Sequence, residues 1–114
     1  MSESEAAKLS MQIDGHVCTI TVDNQAKKNA YSPAMLDQVA QYLTDYEEND
    51  DLWVAIFCSA GEHTTAGLDM PKFFGPTAEP SQRKAGLVDP FGLERRCTKP
   101  VIAVVQGIDR KSVV

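Results

Sequence analysis

Two unbroken apolar runs constrain this chain more than any other feature. Residues 53–58 read WVAIFC and residues 101–105 read VIAVV, with no polar residue interleaved in either. Runs of this kind suit strands covered on both faces, as parallel strands are. Parallel strands need a crossover between them, and the stretch before the first run supplies one from a strand further upstream. Met35, Leu36, Val39, Ala40, Leu43 and Tyr46 recur at helical spacing, with Asp37, Gln41, Asp45 and Glu48 on the wet side. Ser32 stands as an N-cap with Pro33 at the first helical position, and Asn49, Asp50 and Asp51 end the helix. Upstream, residues 9–22 read as a β-hairpin. Met11 and Ile13 alternate with polar neighbours, Asp14 and Gly15 make the turn, and residues 17–22 favour a strand.

Hairpin, helix, apolar strand, long excursion and apolar strand together predict an α/β layer structure with right-handed crossovers. The excursion over residues 60–98 carries a short helical patch at 70–74. It is longer than a connector needs to be, and long loops in compact domains are usually functional. With 114 residues there is room for one small domain.

Composition excludes several classes of function. The chain is 43% hydrophobic and 24% charged, the balance of a soluble globular protein. Sixteen acids against eleven Lys and Arg leave a net charge of −5, without the basic face of a nucleic-acid binder. Residues 1–60 hold ten acids and three bases, whereas residues 61–114 hold six acids and eight bases. Such polarity draws an anionic ligand towards the second half, or it is only the solvated acidic face of the first helix.

Cys18, Cys58 and Cys97 form no CxxC pair, and neither His16 nor His63 lies near them at metal-ligand spacing, so no zinc site is expected. Cys58, inside the first run, reads as a small core residue. The polar, acidic start is neither a secretory signal nor a transit peptide. No apolar stretch approaches the ~20 residues that span a bilayer. The expectation is a reducing, cytoplasmic setting with no membrane partner.

Three stretches follow one another in an informative order. Residues 22–32, VDNQAKKNAYS, come directly after a strand. Residues 61–70, GEHTTAGLDM, follow the first apolar run, and residues 99–107, KPVIAVVQG, contain the second. Taken together they resemble the crotonase family, the enoyl-CoA hydratase/isomerase superfamily. Its members carry an N-x-P-x-x-x-N-A-like loop, a helix, an apolar strand, an F-S-A-G-x-D turn and later K-P-V-I-A-A-V-x-G. The resemblance spans residues 20–107, well under half of a family catalytic domain. It implies the ββα spiral of crotonase and ClpP-like proteins, here incomplete, with residues 1–108 as the N-terminal part of the domain.

The resemblance also implies chemistry. Crotonase-like enzymes hold an acyl-CoA thioester and stabilise an enolate-like oxyanion on its carbonyl with two backbone N–H groups. The first donor follows the Gly of A-G-x-D, which here is Leu68. Gly67 lets the backbone take a conformation closed to other residues, and Asp69 fixes the turn or caps the short helix beginning at Met70. Ala26 and Lys28 match CoA-contacting positions on one side, with Ala66, Asp69 and Met70 on the other. Lys27 and Lys28 are the only bases between Lys8 and Lys72, which suits an anionic phosphate. Coenzyme A is part of the substrate, so no separate cofactor is expected. The full-length form is expected to be a homotrimer or hexamer.

Two departures from the family text concern the loops. The first loop lacks the family's Pro, and Thr64 replaces the Phe before S-A-G, which predicts a more polar pocket wall. The second donor and the acid-base glutamates lie, by resemblance, beyond Gly107, and Glu62, Glu79 and Glu94 match none of them. Residues 109–114 read as a non-native or divergent tail: they are also what a common sequencing-adapter oligonucleotide encodes in one frame. The open sheet edge predicts poor folding or self-association of the isolated chain. Hydratase or isomerase chemistry leads the functional reading. Dehalogenase, decarboxylase, thioester hydrolase or naphthoate synthase chemistry, a non-catalytic acyl-CoA-binding or oligomerisation module and an inert fragment stay open beside it.

Overall fold

The structure, a computed structural model, describes residues 7–76, 78–79 and 85–108; the tail expected at 109–114 lies outside them. Strand β1 (Lys8–Asp14) turns at Gly15 into β2 (Val17–Asp23), and a 3-10 turn (Gln25–Lys27) leads to helix α1 (Pro33–Glu48). Strand β3 (Val54–Ser59), the short helix α2 (Met70–Phe73) and strand β4 (Val101–Ala103) follow. The four strands form one sheet in the order β1-β2-β3-β4. The β1/β2 hairpin is antiparallel and the other two pairs are parallel, as the apolar runs predict.

Helix α1 starts where the sequence places its cap. The Ser32 hydroxyl accepts from the Met35 N–H at 3.2 Å, and Pro33 occupies the first turn. Its apolar stripe of Met35, Val39, Leu43 and Tyr46 packs on Cys18, Ile20 and Val22, the inward-facing positions of β2. This is the core, and it holds β2 in register with β3 from Val17↔Val54 to Val22↔Ser59.

Coverage on both faces of the apolar strands is not what the structure shows. In β3 only Ala55 and Ser59 are buried, and Cys58 is half-buried, its Sγ 3.5 Å from Thr21 Oγ1. Trp53 precedes the strand, 63% exposed, with its indole stacked on the His16 ring. Strand β4 ends at Ala103, and Ile102 is 55% exposed. The reason is geometric. Helix α1 covers one face of the sheet, and among the described residues no second layer covers the other.

The approach to β4 is tied to the end of α1. Lys99 Nζ donates to the carbonyls of Asn49 and Leu52, both at 2.8 Å, and lies 4.6 Å above the Tyr46 ring. Tyr46 Oη donates to the Pro100 carbonyl at 2.6 Å. The Glu47 carboxylate accepts from the Thr98 N–H, the Thr98 hydroxyl and the Cys97 thiol. These bonds, the Thr98 hydroxyl first, hold the Glu47 carboxyl below its ordinary pKa, while burial pushes the Cys97 thiol up. Lys99 and Pro100 therefore set where β4 begins.

Candidate active site

The chain leaves β2, β3 and β4 at one end of the sheet because these strands are parallel. Ligands of open α/β sheets bind at that carboxyl end. Two loops meet there, residues 24–32 after β2 and residues 60–69 after β3.

Asn29 clamps them together. Its side chain is fully enclosed and its backbone is left-handed, at φ +58°, a conformation asparagine tolerates better than most residues. Oδ1 accepts from the Asn24 N–H at 2.7 Å, within its own loop. Nδ2 crosses to the other loop, donating to the carbonyls of Ala60 at 2.8 Å and His63 at 2.7 Å. The backbone repeats the link. The Ala66 N–H donates to the Lys28 carbonyl at 2.9 Å, and the Thr65 hydroxyl donates to the Asn29 carbonyl at 2.7 Å. Thr65 Oγ1 also accepts from the Gly67 N–H at 3.0 Å, which closes the turn. Gly67 takes φ +100°, beyond the range comfortable for a residue with a Cβ.

Leu68 sits opposite Tyr31 in a one-residue parallel bridge. The Tyr31 N–H donates to the Gly67 carbonyl at 2.8 Å, and its carbonyl accepts from the Asp69 N–H at 2.7 Å. In a parallel ladder those bonds use the neighbours of the bridged residue, so the N–H of Leu68 itself points to the other side. Among the described residues that N–H donates to no acceptor. Gly67, Leu68 and Tyr31 form part of the wall of a cavity of about 850 Å³. Leu36, Val39 and Leu43 of α1 face Phe57, Val101 and Ala103 of the sheet across it, and residues 88–92 border it.

The residues singled out from the sequence fall into two groups. Leu68 lines the cavity, and Lys28 and Ala66 are joined through their backbones. Ala26 and Met70 stand exposed, the first in the 3-10 turn after β2 and the second at the start of α2. Asp69 begins α2 but makes no side-chain cap bond; its Oδ2 accepts from Lys27 Nζ at 2.9 Å. Of the two loop lysines, Lys27 is thus engaged with a carboxylate, and Lys28 makes no ion pair among the described residues.

Thr64 corrects an expectation. It is buried outside the cavity wall, and its hydroxyl donates to the Gln106 carbonyl at 2.9 Å and accepts from the Gln106 N–H at 2.6 Å. It ties the second loop to the end of the β4 run and leaves the pocket's polarity unchanged. Asn29, Thr65 and Tyr31 are the positioning groups that the sequence reading passed over. Asn29 could have been found as a polar residue wedged between a loop and an apolar helix, where left-handed turns favour asparagine.

Residues 12–109 match the enoyl-CoA hydratase/isomerase family. A "probable enoyl-CoA hydratase" of Mycobacterium tuberculosis is 29% identical over 98 residues, covering 85% of this chain and 38% of that protein. The hydroxycinnamoyl-CoA hydratase-lyase of Pseudomonas fluorescens is 29% identical over 104 residues, covering 85% of this chain and 37% of that protein. Among solved structures, a "probable enoyl-CoA hydratase/isomerase" from Mycobacterium abscessus superposes with a TM-score of 0.75 at 31% identity, covering 85% of this chain and 38% of that one. The chain therefore spans under two fifths of the length of these relatives. Its strand order, its helix and its match over residues 12–109 agree, and the chain belongs to the enoyl-CoA hydratase/isomerase family, with the ββα spiral in an open, incomplete form.

Proposed function

We propose that this chain is the acyl-CoA-holding part of a crotonase-type enzyme, with the Leu68 N–H donating to the thioester carbonyl oxygen. The observation that carries this reading is the direction of that amide: turned from Tyr31, without an acceptor among the described residues, beside the cavity. Addition of water across an enoyl thioester, or a shift of its double bond, builds negative charge on the carbonyl oxygen. A donor already held in place lowers that barrier by several kcal/mol, because nothing reorganises as the charge develops. Asn29, Thr65 and Tyr31 hold this one. The CoA portion lies over the joined loops, with Ala26 and Lys28 on one side and Ala66, Asp69 and Met70 on the other. The whole enzyme is proposed to assemble as a homotrimer or hexamer.

A second reading concerns the chain by itself. Among the described residues only Asp89 brings a carboxylate to the cavity wall. Its Oδ1 accepts from the Phe91 N–H, and its Oδ2 accepts from the N–H groups of Leu93 and Glu94. A carboxylate that ties its own turn together is poorly placed to move a substrate proton. The 114-residue chain is therefore expected to bind a thioester without turning it over.

The test is an amide NMR titration of the chain labelled at leucine. Crotonyl-CoA is expected to shift the Leu68 N–H resonance downfield, and the thioether analogue lacking the carbonyl oxygen is expected not to. Equal shifts with the two ligands, or none with the thioester, would overturn the assignment.

A further inference from the structure

The turn that presents Leu68 also carries a negative charge next to it. Asp69 follows directly, and its side chain is only 12% exposed. Adjacency in the chain keeps its carboxylate within about 10 Å of an oxygen hydrogen-bonded to the Leu68 N–H. At an effective dielectric of about 20, an uncompensated unit charge at that limit opposes a second negative charge by more than about tenfold in an equilibrium constant. A site meant to favour a developing anion would be working against its own neighbour.

Lys27 removes that opposition. Its ammonium donates to Asp69 Oδ2 at 2.9 Å and reaches it from the other loop, so the pair acts on its surroundings as a dipole. Lys27 is half-exposed, and a pair of this kind adds little to folding stability. Resting on the acyl-CoA reading above, we propose that Lys27 is a charge-compensating, positioning residue for the Leu68 donor: its pairing with Asp69 keeps the field at that amide favourable to an enolate-like oxygen. The two adjacent lysines then have separate duties, Lys27 towards the reacting oxygen and Lys28 towards the phosphates.

The experiment measures the enolisation pKa of acetoacetyl-CoA bound to the full chain, read from the near-ultraviolet absorbance of the enolate. Bound to the unaltered chain, the ligand is expected to enolise at lower pH than when free. Lys27→Gln is expected to raise the bound value by about one unit, a tenfold loss of enolate preference. Lys27→Arg restores it, and the double variant Lys27→Gln with Asp69→Asn restores it as well. Asp69→Asn alone moves the value in the opposite direction, which keeps the test open if a Lys27 variant folds poorly. A merely structural lysine would weaken both forms of the ligand equally and leave the bound pKa in place. If the unaltered chain shows no depression, the oxyanion-donor reading itself fails. If the depression is present and Lys27→Gln retains it, or Asp69→Asn raises the value, this inference is overturned and the donor reading stands.

Discussion

Replacing Asn29 tests the clamp on which the site depends. Its side chain, 1% exposed, makes three hydrogen bonds at 2.7–2.8 Å, one to Asn24 and two to the opposite loop. Asn29→Ala deletes all three and leaves the Asn24 N–H and two carbonyls without that partner. At about 1 kcal/mol net per bond, this costs roughly 3 kcal/mol. Alanine must also hold φ +58°, which adds about 1–2 kcal/mol. The expected loss is therefore about 4–5 kcal/mol, a large share of the roughly 5–15 kcal/mol that keeps a domain folded. Asn29→Gly loses the same bonds without the backbone strain and is expected to be about 1–2 kcal/mol more stable than the alanine variant. Urea melts of dilute protein give both differences, and amide exchange locates them. The N–H groups of Tyr31, Ala66 and Asp69, which carry the inter-loop bonds, should lose protection before those of α1. A loss below about 1.5 kcal/mol for Asn29→Ala, or a glycine variant less stable than the alanine one, would refute the clamp.

Three further outcomes follow from the same geometry. Gly67→Ala, forced to φ +100°, is expected to lose about 1–3 kcal/mol in denaturant and to abolish the thioester-specific shift of the Leu68 amide; an unchanged shift would show that the turn does not need glycine. The Glu47 carboxyl is held below its ordinary value of 4.5, so its contribution is complete above that pH and disappears as the pH falls through the lower folded value. Glu47→Gln should therefore be less stable than the unaltered chain near neutral pH and equal to it in strong acid, checked by melts across that range. Strand β4 is an apolar sheet edge, with Val101 41% and Ile102 55% exposed, so the unaltered chain should self-associate in sedimentation experiments. Ile102→Lys should shift it to monomer, whereas a monodisperse unaltered chain at high concentration would contradict the reading.

How legible the fold was depends on which kind of signal each element sends. Helix α1 announces itself through a cap, a first-turn proline and a 3.6-residue stripe, all local, and it spans Pro33–Glu48 as read. The hairpin was equally plain, because alternation and an Asp-Gly turn need no distant partner. The apolar runs indicated parallel strands correctly but misjudged burial. Hydrophobicity reports what a strand is suited to pack against, and it carries no information on whether a layer lies over it. Trp53 illustrates the same gap: it reads as core, yet it sits outside β3 with its ring against His16.

The candidate site was legible as text and its geometry was not. The order of three motifs singles out Leu68 as the proposed donor, but a donor is a direction in space, and direction comes from contacts far apart in sequence. Tyr31, across a one-residue bridge, decides where the Leu68 N–H points. Thr64 looked like pocket wall because it stands where the family text has Phe, yet its hydroxyl is spent on Gln106. Lys27 and Lys28 looked equivalent until Asp69, remote in sequence, separated them. Each case concerns a polar group whose partner lies on another loop. Such pairings follow from the parallel order of β2, β3 and β4, which delivers three loops to one end of the sheet. The motif marks the Leu68 amide, and the topology sets the direction in which it points.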